Sequence, residues 1–564
     1  EETARNQLGN SRLRIQPPLR LAEVLHLKGQ KEDAFTIWNR ILEENPEDLQ
    51  TYYSVASSMN NRREYEAAAE VYVKAREELR NPTLFLNELA NSYMQAGRFE
   101  EAVKEFFRLV IENPDQIAMV QQRFLRSRDE TLYQIAAMEL EDMLFEADMS
   151  TTSYSQLYQL LTWFLLETSE YERALNFARY YEQQTPYTIY SLMALGHQLK
   201  SAGQYEYAAE AYRYYAENDT GVNRFRSLEE LAFTYYSWSR DLLQSNTASD
   251  QRIEELTRRA YDTAATLLTD ASQYESADRV FALLIDIALD RYKDHSLARD
   301  WYNKMMERIE ADDDYAYYAE GRIALFEKDF IKTRQALTRA DRSTESSDLS
   351  ERARYYLGLS DFFAGDYEFA EIQLRTLERR HTSFYANDAV KLRMWIKNGI
   401  RADSTGSLLR TLGESLHAFH SGEYRQALSV LEPVLAVPGN PLSDELVTEF
   451  SALLPSEYDP LTLLLLERQI ESRPYSPLLE KMMWDRALIA EQLLDRMSSE
   501  SVAEPPFLYE FMQTSYLDRL SQIASQLTPE YVADLYEELV IRYPDGFYSA
   551  YAREKLHSFE SVAL

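Results

Sequence analysis

The chain has 564 residues, 93 acidic against 60 basic side chains, a formal charge of −33 and no cysteine. Disulfides and thiolate zinc sites are therefore excluded. Nucleic acid is the wrong partner class, because phosphate recognition is built on Lys and Arg that displace condensed counterions.

Residues 1–14 read as an N-terminal arm. Glu1-Glu2-Thr3-Ala4 has neither a charged n-region nor an apolar h-region, so a secretory signal is expected to be gone and the protein to be exported, with the cytoplasm as the alternative. Segment 15–116 holds three copies of one pattern at a 34-residue period. The first carries Leu21, Ala22, Leu25, Gly29, Ala34, Trp38, Ile41 and Pro46. The second carries Tyr52, Val55, Ala56, Met59, Arg63, Tyr65, Ala68, Tyr72 and Ala75. The third carries Leu86, Leu89, Ala90, Tyr93, Gly97-Arg98-Phe99, Ala102, Phe106, Leu109 and Pro114. Apolar residues three and four apart place one stripe on each of two helices, and Gly97 sits where a left-handed C-cap must end the first. Ala90 and Ala102 mark the close crossing of the pair, and proline after the second helix stops it.

Segment 117–154 departs from the period and reads as a divergent helical pair, including a helix over 130–145. Two copies follow in 155–222, one with Leu161, Leu165, Tyr171, Ala174, Ala178 and Pro186 but Ser169 in place of glycine. The other has Leu195, Gly196, Leu199, Gly203, Tyr205, Ala208, Tyr212 and Tyr215. Divergent helices occupy 223–278, with one expected over 253–268. Three weaker copies fill 279–382, around Ala298 and Tyr302, then Gly321, Phe330 and Leu337, then Leu357, Gly358, Gly365, Tyr367, Ala370 and Leu374. Segment 383–441 is a helix plus a copy with Gly422, Tyr424, Ala427 and Leu431, and 442–564 is a divergent C-terminal helical region.

The pattern resembles the tetratricopeptide repeat, over roughly three fifths of the chain. The resemblance implies an all-α superhelix, an α-solenoid of tandem antiparallel helical pairs. It carries no chemistry in its motif residues, since fold does not give function. Tyr543-Pro544-Asp545-Gly546-Phe547-Tyr548 followed by Ala552 echoes His381-Thr382-Ser383-Phe384-Tyr385 followed by Ala389. This variant is similar to repeats of bacterial envelope proteins, such as the lipoproteins of outer-membrane assembly and the periplasmic cell-division coordinator.

Catalytic signatures are missing: no Gly-Lys dipeptide for a P-loop, and no G-x-G-x-x-G, H-E-x-x-H or G-x-S-x-G. His417 and His420, with Glu414, have helical spacing for a metal, but the plainer reading is a partly exposed polar face. Asp312-Asp313-Asp314 reads as a helix N-terminus rather than half a calcium loop. No cofactor, metal or catalytic residue is expected.

In such a solenoid the first helix of each pair lines the concave side. Candidate partner-binding residues there are Tyr53, Ser57, Asn60, Asn87, Asn91, Gln159, Trp163, Tyr190, Met193 and His197. Asparagine amides donate to and accept from an extended backbone, and aromatic rings give contact area at low entropic cost. The carboxylate-clamp subclass of the family pairs such asparagines with lysines that are missing here, so a free C-terminal carboxylate is not the expected ligand. Tyr315, Tyr318, Tyr355, Phe362, Phe363 and Phe419 form a second, aromatic candidate surface, expected to be covered by the C-terminal helices or by a partner. The expected function is a non-enzymatic protein-interaction scaffold of a bacterial envelope or secretion assembly, binding a basic or neutral protein or extended peptide; a helical-repeat hydrolase of envelope polysaccharide is the alternative.

Overall fold

The structure, a computed structural model, describes residues 15–127, 129–146, 151–184, 191–344, 346–379, 385–435, 440–499 and 525–562. Among these residues the regular structure is helical, with no strand. The chain divides into two compact units, residues 1–198 and 199–564.

Unit 1 is a run of antiparallel helix pairs. These are α1 (Gln16–Leu27) with α2 (Lys31–Glu44), α3 (Leu49–Asn61) with α4 (Tyr65–Glu78), and α5 (Leu86–Ala96) with α6 (Phe99–Glu112). Next come α7 (Ile117–Ser127), then α8 (Glu130–Glu146), which packs on α6 and on the helix that follows it, and α9 (Thr152–Glu167) with α10 (Tyr171–Gln184). The boundary between the units falls within α11 (Ser191–Ser201).

Unit 2 continues with α12 (Tyr205–Asn218), two long helices α13 (Val222–Ser245) and α14 (Asp250–Asp270), α15 (Ala277–Asp290) and α16 (His295–Met306). Then follow α17 (Asp314–Phe326), α18 (Phe330–Ser343), α19 (Ser347–Phe363), α20 (Tyr367–Glu378), α21 (Ala386–Ala402), α22 (Ser407–His420) and α23 (Tyr424–Leu435). The last helices are α24 (Ser443–Leu453), α25 (Asp459–Ser472), α26 (Leu479–Ser499), α27 (Pro529–Arg542) and α28 (Ser549–Val562).

The turn inside each pair explains the period. Gly97 adopts φ 78°, the Arg98 amide donates to the Tyr93 carbonyl at 2.9 Å, and the Gly97 amide donates to the Met94 carbonyl at 3.2 Å. This is a Schellman closure, which requires a left-handed residue after the helix. The same left-handed turn recurs 34 residues upstream at Arg63 (φ 63°), and Ser169 (φ 58°) and Lys328 (φ 63°) take it in later pairs. The helical pairs are thus tetratricopeptide-like even where glycine is replaced, because the i to i−5 hydrogen bond holds a costlier backbone in place.

The crossings are as tight as the small residues imply. Ala22, Ala56, Ala90, Ala102 and Ala208 are fully buried. At Gly321 an added Cβ would lie 2.6 Å from the Leu337 side chain. The echoed tyrosines Tyr385 and Tyr548 pack inside the unit 2 core, each followed by a fully buried alanine, Ala389 and Ala552.

A solenoid whose repeats touch only their neighbours leaves its concave side open; in unit 2 remote helices also meet. Trp484 Nε1 on α26 donates to the Asn246 carbonyl at 2.7 Å, and Asn246 Nδ2 donates to Asp485 Oδ1 at 2.8 Å. Arg240 on α13 donates to the Tyr385 hydroxyl beside α21 at 3.5 Å. The superhelix of unit 2 is tight enough to close on itself.

Two tests follow from the repeat geometry. Arg63→Gly and Lys328→Gly should each raise stability, by up to about 1 kcal/mol, since a side chain in the left-handed region costs about 1–2 kcal/mol and glycine gives back part of that in unfolded-state entropy; urea midpoints measure this. Ala102→Leu and Gly321→Ala should each cost roughly 1–3 kcal/mol by overpacking a crossing. Glu100→Gln should stay within about 0.5 kcal/mol, because Glu100 makes only a surface pair with Lys104.

Candidate functional site

The first residues expected on the concave side of unit 1 lie on α3 and α5. Tyr53 is 41% exposed, and Ser57, Asn60, Asn87 and Asn91 are half-buried. Asn60 exchanges hydrogen bonds with Ser92 (3.0 and 3.2 Å), which ties the two helices together. Asn91 Nδ2 donates to the Asn87 carbonyl at 2.6 Å and to Asn87 Oδ1 at 3.0 Å. Each amide therefore orients the other, leaving Oδ1 of Asn91 as an acceptor and Nδ2 of Asn87 as a donor.

The loop entering α5 is clamped from below. Arg76 on α4 donates Nε to the Leu84 carbonyl at 2.7 Å and its two Nη groups to Glu105 on α6 at 2.9 and 2.6 Å. Both side chains of this fork-to-fork pair are largely buried, so its geometry is fixed. Phe85, next to the clamped carbonyl, is thereby held left-handed at φ 57°, a conformation that costs a bulky residue about 1–3 kcal/mol and marks a place where structure is imposed. Its ring stacks on Tyr53 at 6.3 Å and meets Tyr72 at 5.0 Å. Sequence reasoning missed Phe85 because nothing local distinguishes it from an ordinary residue before a helix.

The remaining candidate residues lie on α9 and α11 or outside the described residues. Trp163 on α9 is half-buried and packs on Tyr133 (5.8 Å) and Phe164 (4.9 Å). Met193 on α11 is half-buried, His197 and Gln159 are exposed, and Tyr190 lies outside the described residues.

The aromatic set in unit 2 is not a surface. Tyr318, Phe362 and Phe419 are core residues, and Tyr315, Tyr355 and Phe363 pack against that core. Phe419 meets Phe450 of α24 at 4.4 Å, and Tyr355 stacks on Tyr385 at 4.9 Å. The chain's own helices cover these rings because the closed superhelix brings remote turns together.

Beside these rings lies a polar interior absent from the expectations. Arg322 on α17 is 3% exposed. It donates Nη2 to Asp290 at 2.6 Å, its Nε lies 3.4 Å from Asp286, and its guanidinium lies 3.5 Å from the Tyr356 ring centre. Tyr318 donates its hydroxyl to Asp286 (3.0 and 3.1 Å), and Tyr356 donates to Asp290 at 3.3 Å. Burial pushes the Asp286 carboxyl up against the pull of Arg322. At Asp290 burial also works upward, but Arg322, then Lys293, outweighs it and holds that carboxyl low. A signal did exist: Asp286 and Asp290 stand one turn apart in the otherwise apolar run from Val280 to Asp290 of α15, as Tyr318 and Arg322 do on α17.

His417 and His420 line a cavity of about 30 Å³ beside Asp290, Arg322 and Tyr356. His417 is buried, which corrects the exposed-face reading. Its Nε2 donates to the Leu325 carbonyl at 2.9 Å, and its Nδ1, at 3.2 Å, accepts from Ser421. Both ring nitrogens are engaged, so His417 is no metal ligand, and among the described residues no cluster of three or more potential ligands occurs. Burial, opposed by the Leu325 carbonyl, pushes His417 down; burial and then the Lys293 charge push His420 down to about 3. Asp313 caps α17 by accepting from Tyr315 N and Ala316 N (2.8 and 3.1 Å), as the helix-terminus reading expects.

No protein-family model matches the chain, and no curated protein matches it. Solved structures similar to it include Naa15/Naa10 bound to HypK-THB, at 14% identity over 96% of each chain with a TM-score of 0.26. A second is yeast Tom70, at 13% identity over 80% of this chain and 97% of that one, TM-score 0.25. A third is the TPR domain of P58(IPK), at 14% identity over 64% of this chain and 98% of that one, TM-score 0.21. At such superpositions the likeness says nothing of what this chain binds.

The buried histidines give a pH test. Unfolded, they protonate near pH 6.5; folded, both resist it. Their contribution is complete above that pH and is lost as pH falls through it. The pair His417→Gln and His420→Gln should flatten the decline in urea stability between pH 7 and 5 relative to the parent chain, by at most about 1.4 kcal/mol per pH unit per proton.

Proposed function

We propose that the chain is a non-enzymatic scaffold that holds an extended protein segment, basic or neutral, along the groove of unit 1, as part of an exported bacterial envelope or secretion assembly. The observation that carries this reading is the contrast between the units. The aromatic rings of unit 2 are packed away inside a closed superhelix, while unit 1 keeps Tyr53 accessible beside a donor and an acceptor from Asn87 and Asn91. One donor and one acceptor side by side match the N–H and C=O that an extended segment presents. Among the described residues no helix is long and apolar enough to cross a membrane. The charge of −33 favours a basic or neutral protein over nucleic acid.

Asp286 and Asp290, the buried and half-buried carboxylates beside the cavity, are both engaged by Arg322 and by tyrosine hydroxyls, an internal ion network that supports a structural role over the hydrolase alternative.

Capture from the native organism followed by titration tests the reading. Asn91→Ala with Trp163→Ala should weaken the captured partner about tenfold or more, as loss of an aromatic anchor does, with little change in melting temperature. Unchanged affinity in the double variant would exclude the groove.

A further inference from the structure

We propose that the groove of unit 1 contains a subsite for a basic side chain, lysine or arginine, formed by Tyr53, Phe85 and Glu88. This rests on the groove reading above and adds the chemistry of the segment held there.

Three observations converge. Tyr53 and Phe85 form a stacked pair, 25° between ring planes, and Tyr53 keeps 41% of its surface exposed. An exposed aromatic face attracts a cation through its quadrupole. Glu88 lies in the first turn of α5, half-buried and three residues after Phe85, a spacing that places the two on one side of the helix start. Phe85 also contacts Tyr72, whose hydroxyl is pushed up by burial and then by the Glu88 charge.

The third observation is a missing counter-ion. Several acids of unit 1 that are half-buried or buried, as Glu88 is, have cations: Glu23 with Arg62, Glu64 with His26 and Lys31, Glu101 with Arg98, and Glu105 with Arg76 and Arg108. Among the described residues no ion pair is found for Glu88. A half-buried carboxylate without a cation beside an accessible ring pair is the arrangement that a partner's ammonium or guanidinium completes, by ion pairing with the acid and cation–π contact with the rings. The Arg76 clamp holds Phe85 in position before any ligand arrives, so the pair is preorganised. Asn87, one residue before Glu88, offers its amide to the same stretch of backbone.

The test uses the full chain and four pools of nine-residue peptides with randomised flanks and a fixed central Arg, Lys, Leu or Glu, read by fluorescence anisotropy. The parent should bind the Arg and Lys pools about 5- to 20-fold more tightly than the Leu pool. Glu88→Gln should bring that ratio within about twofold, Glu88→Lys should shift the preference to the Glu pool, and thermal unfolding should confirm that both variants fold. A parent that prefers Leu or Glu, or a Glu88→Lys chain that keeps its preference for Arg, overturns the subsite; if Asn91→Ala with Trp163→Ala still lowers binding of the pools, the groove reading survives that loss. If the double variant alters binding of no pool, the groove reading fails and the subsite with it.

Discussion

In most pairs the helices approach so closely that the residue at the crossing carries at most a methyl group, and the rest of the repeat is arranged around that limit. At Gly358, as at Gly321, an added Cβ would meet the leucine of the second helix, Leu374, at less than 3 Å. At Ala22, Ala56 and Ala90 alanine holds the position, fully buried, with a large ring such as Phe106 filling the space behind, and Ser415 uses the close approach to donate to the Ala427 carbonyl at 2.8 Å. Close approach in turn demands an abrupt reversal, which explains why Arg63, Ser169 and Lys328 accept left-handed backbone that a side chain ordinarily avoids. The cost is local, and the packing it permits is repeated along the helix.

Tight curvature gives unit 2 a different interior from an open groove. Once α13 meets α26 and α22 reaches α17, side chains that would face solvent in a wider superhelix face one another. Arg322 and Asp286 then sit buried with Asp290 half-buried beside them, and each needs the others, because removing one partner of a buried pair leaves an uncompensated charge. The tyrosine hydroxyls add hydrogen bonds to the two carboxylates. Such a network demands specific geometry, so it fixes the register of α15, α17 and α19 more sharply than apolar packing alone.

Unit 1 spends its polar groups differently. Its buried pair, Arg76 with Glu105, holds a loop in place and so fixes Phe85, and its asparagines orient one another without exhausting their hydrogen-bonding capacity. This leaves accessible rings, an uncommitted donor and acceptor, and Glu88 without a cation along one face. The proposed binding role of unit 1 rests on this contrast with the internally paired polar groups of unit 2.

The amino-acid sequence by itself determined the all-α class, the 34-residue pairs and their turns, and the helices over 130–145 and 253–268, which extend to Glu130–Glu146 and Asp250–Asp270. These rest on local physics: helical periodicity, left-handed caps and small residues at fixed offsets act within about 34 residues and so leave a readable pattern. Position in a repeat also led to Tyr53, Asn87 and Asn91 as candidates, of which Tyr53 is exposed and the two asparagines half-buried. Only the tertiary structure decided that Tyr318, Phe362 and Phe419 are core, that His417 is buried with both nitrogens engaged, and that Arg322 lies between two aspartates. Those outcomes depend on superhelical curvature, the accumulated effect of small rotations between successive pairs, and contacts as remote as Asn246 with Trp484 have no counterpart in any local pattern.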